Sequence, residues 1–189
     1  MDRTSGRDPV STAALRATAH PVRLRMLSLL TGAELSAAEV ARELGISHAN
    51  ASYHLRVLAK AGEVVEAGEE HIRGGVAKKY RHPWEQGEEP VKSDPEAREQ
   101  YLRTVGAELV RRARLRKPGT STLITDAEMW VPVEVRDEVR DLVTRASRLI
   151  HAEARPPRTP GTVQMNLTAA VFEMADQQAT TGSKGDEDR

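Results

Sequence analysis

Between Ser36 and Lys60 the sequence specifies two helices with almost no chain between them, and few folds accept that arrangement. Ser36-Ala37-Ala38-Glu39 is a capping box, in which the serine hydroxyl takes the amide of Glu39 and the Glu39 carboxylate reaches back. The helix it opens, Ala37 to Leu44, carries Val40, Ala41 and Leu44 on one face. Gly45 stops it, because a left-handed residue is cheap only for glycine. After Ile46, Ser47 caps a second helix that runs to about Lys60, with Ala51, Leu55 and Leu58 facing inward, and Ala61-Gly62 ends it. So short a turn holds the two helices at a steep angle, as in a helix-turn-helix.

The flanks complete the unit. Ser11 caps a helix through Ala19, His20-Pro21 breaks the chain, and Pro21 to Leu30 forms a helix apolar on most sides (Leu24, Met26, Leu27, Leu29, Leu30). Beyond the second capped helix, Glu63–Ala67 and Val76–Tyr80 are β-prone, and Arg73-Gly74-Gly75-Val76 offers a Gly-Gly hairpin turn. Two strands with a basic, glycine-containing tip describe a wing. The expected fold class is therefore α+β and mainly helical, a winged helix-turn-helix over 11–83. A polar tail (1–10) precedes it, and an acidic linker over 84–95 follows it.

Residues 96–175 read as a small C-terminal module of α/β character. Glu96 to Arg116 is helical, with Ala97, Tyr101, Val105 and Leu109 at i+4 spacing, and Lys117-Pro118-Gly119 ends it. Thr120–Val131 reads as a strand. Pro132 opens a helix carrying Val135, Val139, Leu142, Ala146 and Leu149. Ala154–Gly161 is a proline-rich loop, Thr162 to Phe172 is a second strand with Val163, Met165 and Leu167 alternating, and 176–189 is a polar tail. Tyr101, Met129, Trp130, Met165 and Phe172 hold most of the large side chains here. They imply a core or dimer interface, or alternatively a pocket for a small apolar effector.

Composition narrows the function. There is no cysteine, which excludes disulfides and thiolate metal sites. No apolar run nears the roughly 18 residues that cross a bilayer, and the start, MDRTSGRDPV, lacks a secretion signal. The expectation is a cytoplasmic protein with no membrane partner. Lys plus Arg equal Asp plus Glu at 28 each, yet up to Pro83 the balance is 12 against 9. The case for a nucleic-acid partner therefore rests on local placement. Ser47, His48, Asn50, Ser52, Tyr53 and His54 put hydrogen-bonding groups on the first two turns of the second capped helix, suited to base edges in a major groove. Arg56 and Lys60 behind them, and Arg73, Lys78, Lys79 and Arg81 on the wing, suit phosphates.

At this point the sequence resembles the ArsR-type winged-helix regulators, through LRATAHPVRLRMLSLL (15–30), LSAAEVARELGISHANASYHLRVLAKAGEVVE (35–66) and RGGVAKKYRHP (73–83). The run SYHLRVLAKAG at 52–62 is especially close to that family's recognition helix. The resemblance implies a homodimer that binds operator DNA and usually represses. It also implies that Ser52 and His54 lie at the DNA surface, with His48 and Tyr53 at the variable specificity positions. Founding members sense metals through cysteines or clustered His and carboxylates. Here His151 is the one C-terminal histidine, so no metal and no cofactor is expected.

Other classes fit less well. Ser52-Tyr53-His54 cannot form a catalytic relay, since adjacent helix residues diverge by about 100°, so the chain does not read as an enzyme. His20 and His82 flank prolines at element boundaries and read as structural. Arg111, Arg112, Arg114, Arg116 and Lys117 read as cations offsetting a helix terminus, or as an added anion contact. A winged-helix module that binds protein is the main rival, favoured by the zero net charge and by Glu69-Glu70 in the wing. The polar helix face argues for DNA, with dimerisation assigned to 96–175 and in particular to Glu96–Arg116.

Overall fold

Capping, glycine stops and apolar periodicity settle the local elements, and a computed structural model shows how they assemble. It describes residues 12–72, 75–86 and 94–175. The tails at 1–10 and 176–189, the Ser11 cap, most of the linker, and Arg73 and Gly74 lie outside the described residues. The order is α1 (Thr12–Thr18), α2 (Pro21–Thr31), β1 (Leu35–Ser36), α3 (Ala37–Leu44), α4 (His48–Lys60), β2 (Val65–Ile72), β3 (Gly75–Arg81), a 3₁₀ turn (Trp84–Gln86), α5 (Pro95–Ala113) and α6 (Val133–Ala152).

The helix-turn-helix forms as its caps dictate. Ser36 and Glu39 exchange both bonds of the box, with the Ser36 amide 2.8 Å from Glu39 Oε2. Gly45 sits at φ 65°, and its amide and that of Ile46 both return to the Ala41 carbonyl. A side chain at Gly45 would meet the left-handed penalty of about 1 kcal/mol or more. Ser47 accepts the Asn50 amide at 3.2 Å. The inward faces of α2, α3 and α4 converge with Val64 on one core of Met26, Leu30, Val40, Ala41, Ala51, Leu55, Leu58 and Val64.

The wing is longer and better anchored than the sequence suggests. Its strands pair antiparallel from Val65↔Arg81 to Ile72↔Gly75, with an irregularity between Glu66 and Gly68. Gly75 is thus a strand residue paired with Ile72, and not the turn residue the sequence suggests. A third strand, β1, pairs Leu35↔Tyr80 and Ser36↔Lys79, giving the order β1-β3-β2. The wing base is therefore stitched to the start of α3.

Helix α5 packs across α1 and α2, burying Ala97, Thr104 and Glu108. Glu108 is buried among arginines, with Arg111 at 2.8 Å, Arg112 at 3.7 Å and Arg25 at 3.9 Å. Part of the basic run at 111–117 is therefore the counter-charge of a buried carboxylate. The opposite face of α5 leaves Leu102, Leu109 and Val110 exposed.

The C-terminal region departs from expectation. Neither Thr120–Val131 nor Thr162–Phe172 forms a strand; both lack regular secondary structure and are exposed. The reason is physical: a strand exists only as half of a hydrogen-bonded pair, and these segments face none among the described residues. Where the chain returns, it docks firmly. A Cβ on Gly32 would lie 2.7 Å from the Arg155 carbonyl oxygen, so only glycine lets the loop after α6 cross the end of α2. Arg158 pairs with Glu43 of α3, and His151 lies 5.7 Å from the Trp84 ring.

Candidate nucleic-acid interface

Helix α4 presents two faces. The inner one is the core. On the outer one His48, Asn50 and Tyr53 are exposed, Ser52 is half-buried, and Arg56 and Lys60 follow in the open. Ser47 spends its oxygen on the N-cap, and Arg56 Nε donates to the Ser52 carbonyl at 3.3 Å. The polar groups thus lead the helix and the cations trail it, as expected.

His54 is the correction. Placed on the DNA surface by the sequence reading, it is only 5% exposed and lies on the inner side of α4. Its ring stacks on His20 at 4.6 Å and meets Tyr53 edge-on at 5.2 Å. Its buried Nδ1 makes no hydrogen bond. The helix period explains this, because residue 54 is three after Ala51 and four before Leu58 and so shares their stripe. His20 caps α2, its Nδ1 accepting the Val22 amide at 3.2 Å. That bond requires the unprotonated nitrogen.

Burial, first, and then the positive charge of Arg23 and Arg25 lower the His20 pKa; burial, then His20 and Arg23, lower that of His54. The folded state therefore holds fewer protons than the unfolded chain near the ordinary histidine value of about 6.5. This stabilisation is present above that pH and is lost as pH falls toward the depressed folded values. The urea midpoint should accordingly drop between about pH 7.5 and about pH 5.5, and His54→Phe should reduce the drop. A midpoint that rises on acidification would refute this coupling.

The wing is electrostatically self-paired. Lys78 Nζ bonds both oxygens of Glu66 at 2.8 and 3.0 Å, Lys79 lies 3.2 Å from Glu70, and Arg81 lies 3.2 Å from Glu85. Hydrogen bonds to these glutamates raise the pKa of both lysines. The pairs run diagonally between strands: in the ladder, Glu69 faces Lys78 and Glu70 faces Ala77. Solvent reaches both partners, so such pairs break at little cost when a phosphate competes. Glu66→Gln with Glu70→Gln should therefore tighten binding to any duplex about threefold to tenfold and steepen its salt dependence. Fluorescence anisotropy reads both quantities, and an unchanged or weaker affinity would show that these lysines stay off the DNA.

Residues 18–65 match a family described as a helix-turn-helix domain. This segment is a helix-turn-helix domain. It spans the end of α1 through α4 and the first residue of the wing, so the match and the core coincide. A solved structure described as "Possible transcriptional regulator for arsenical resistance" is 26% identical, covering 55% of this chain and 95% of that one, with a TM-score of 0.31. No curated protein matches.

Outside the helix-turn-helix domain, the proposed effector residues do not gather. Trp130 is 90% exposed, and Met129, Met165 and Phe172 stand out into solvent on the segments 120–131 and 162–172. Tyr101 is half-buried on α5, where burial raises its pKa. Side chains this exposed line no pocket within one chain. Among the described residues no group of three or more His, Asp or Glu is arranged to hold a metal ion, and no helix is long and apolar enough to cross a membrane.

Proposed function

We propose that this chain is a sequence-specific, DNA-binding transcriptional regulator of the ArsR type, acting as a homodimer and repressing from operator DNA in the cytoplasm. The observation that carries the reading is the outer face of α4. A capped helix holds His48, Asn50 and Tyr53 in the open on a helix-turn-helix domain that carries a three-stranded sheet. Base readout needs neutral donors and acceptors on a fixed helix, and phosphate contact needs cations beside it. In this reading 11–83 binds DNA, 96–175 dimerises, no catalysis is involved, and any effector acts through the dimer.

The glutamate-paired wing gives the protein-binding alternative its one specific support. Selection from a random duplex pool with the purified chain separates the two readings. The regulator reading expects enrichment of an inverted repeat whose half-sites lie about one helical turn apart. Recovery of no preferred sequence would favour the protein partner.

A further inference from the structure

Helix α6 buries no residue in its own chain. Yet Val135, Val139, Leu142, Ala146 and Leu149 recur at alternating spacings of four and three, the seam of a helix that packs lengthwise on another. Beside the seam runs a polar row, Glu138, Asp141, Thr144, Arg145 and Arg148, acidic toward the N-terminus and basic toward the C-terminus. Such a row is complementary to itself only when reversed. The segments on either side of α6 are equally incomplete. Among the described residues, 121–131 and 163–175 make no backbone hydrogen bond, and Leu123, Trp130, Val163 and Phe172 project into solvent. Backbone of this length with no internal partner, carrying Val163, Met165 and Leu167 in alternation, is open to pairing with another strand. Seventeen large apolar side chains from Leu115 to Met174 are exposed, the material for the roughly 800 Å² per partner that a stable interface uses.

We infer that α6 and its two flanking segments are a self-complementary face covered by a second copy of this chain, with the two α6 helices antiparallel about a twofold axis near Leu142. This deepens the dimer of the preceding reading. It locates a second interface beyond α5, one built from the segment that also docks on α2 and α3 through Arg155 and Arg158. The expected strands at 120–131 and 162–172 then form between copies instead of within one. A foreign apolar partner has no reason to match a charge row that inverts about its own midpoint.

The chain contains no cysteine, which makes the geometry directly readable. In the full-length protein, Leu142→Cys should cross-link to itself with a short thiol reagent. Val135→Cys and Leu149→Cys should each fail alone and cross-link when mixed. Self-linking at all three positions would mean parallel helices and overturn the proposal. By sedimentation equilibrium, Leu142→Glu should lower the association state and expose the amides of 121–131 and 163–175 to hydrogen exchange. Because Leu142 is exposed within its own chain, the helical circular dichroism and the melting of the helix-turn-helix domain should persist. Asp141→Arg should weaken association, and adding Arg145→Asp should restore it. An unchanged association state in Leu142→Glu, or fast exchange of both segments in the wild type, would overturn the proposal. Cross-linking as described in a chain that selects no duplex would keep this interface and remove only the regulator reading.

Discussion

Replacing Leu55 by alanine should destabilise the protein by roughly 2–5 kcal/mol and abolish DNA binding with it. Leu55 is 1% exposed and sits in the cluster formed by Met26, Leu30, Val40 and Leu58, where α2, α3 and α4 meet. Truncation removes the transfer energy of its side chain and leaves a cavity that three capped helices cannot easily close. The same residue fixes the roll of α4, so the outer polar face loses its aim before the domain is fully unfolded. The neighbouring Arg56 is exposed, and Arg56→Ala should change stability by no more than about 0.5 kcal/mol. Urea denaturation of the two variants gives the comparison. A loss below about 1 kcal/mol for Leu55→Ala would mean that this cluster is not the core that orients α4.

The second large effect divides base contacts from phosphate contacts. His48→Ala and Tyr53→Ala remove exposed groups from the leading turns of α4 and should each cost roughly 1–3 kcal/mol on the preferred duplex. Random duplex should be bound nearly as before. Lys79→Ala should weaken all sequences alike and reduce the salt slope by about one unit. Lys79 now faces Glu70, so its removal also leaves a carboxylate turned toward the phosphates. The loss should accordingly shrink when Glu70→Gln is added. The same pattern for His48→Ala and Lys79→Ala would erase the division.

Much of this was legible because it is local. The Ser36–Glu39 box, the Gly45 stop and the Ser47 cap act within four residues, and the structure reproduces each. The apolar stripe of α4 was equally legible, and it held the signal that moves His54 inward, since 51, 54, 55 and 58 share one face. Polarity and the family resemblance both place that histidine outward. Features set at long range were not visible. Strand β1 is two residues long and exists through its pairing with Tyr80 and Lys79. The wing register and the pairing of Lys78 and Lys79 with glutamates depend on how β2 and β3 align around Ala67. The alternation at 162–172 predicted a strand that does not form, because a ladder needs a second strand and no stretch of the described residues supplies it.

One titration tests directly whether α4 reads DNA by sequence. The full-length chain is titrated by fluorescence anisotropy against the duplex it selects and against a scrambled duplex, at low and at moderate salt. Binding through base edges predicts a preference of about a thousandfold or more at moderate salt, with both affinities falling as salt rises. Equal affinity for the two duplexes, or binding to neither, would contradict it.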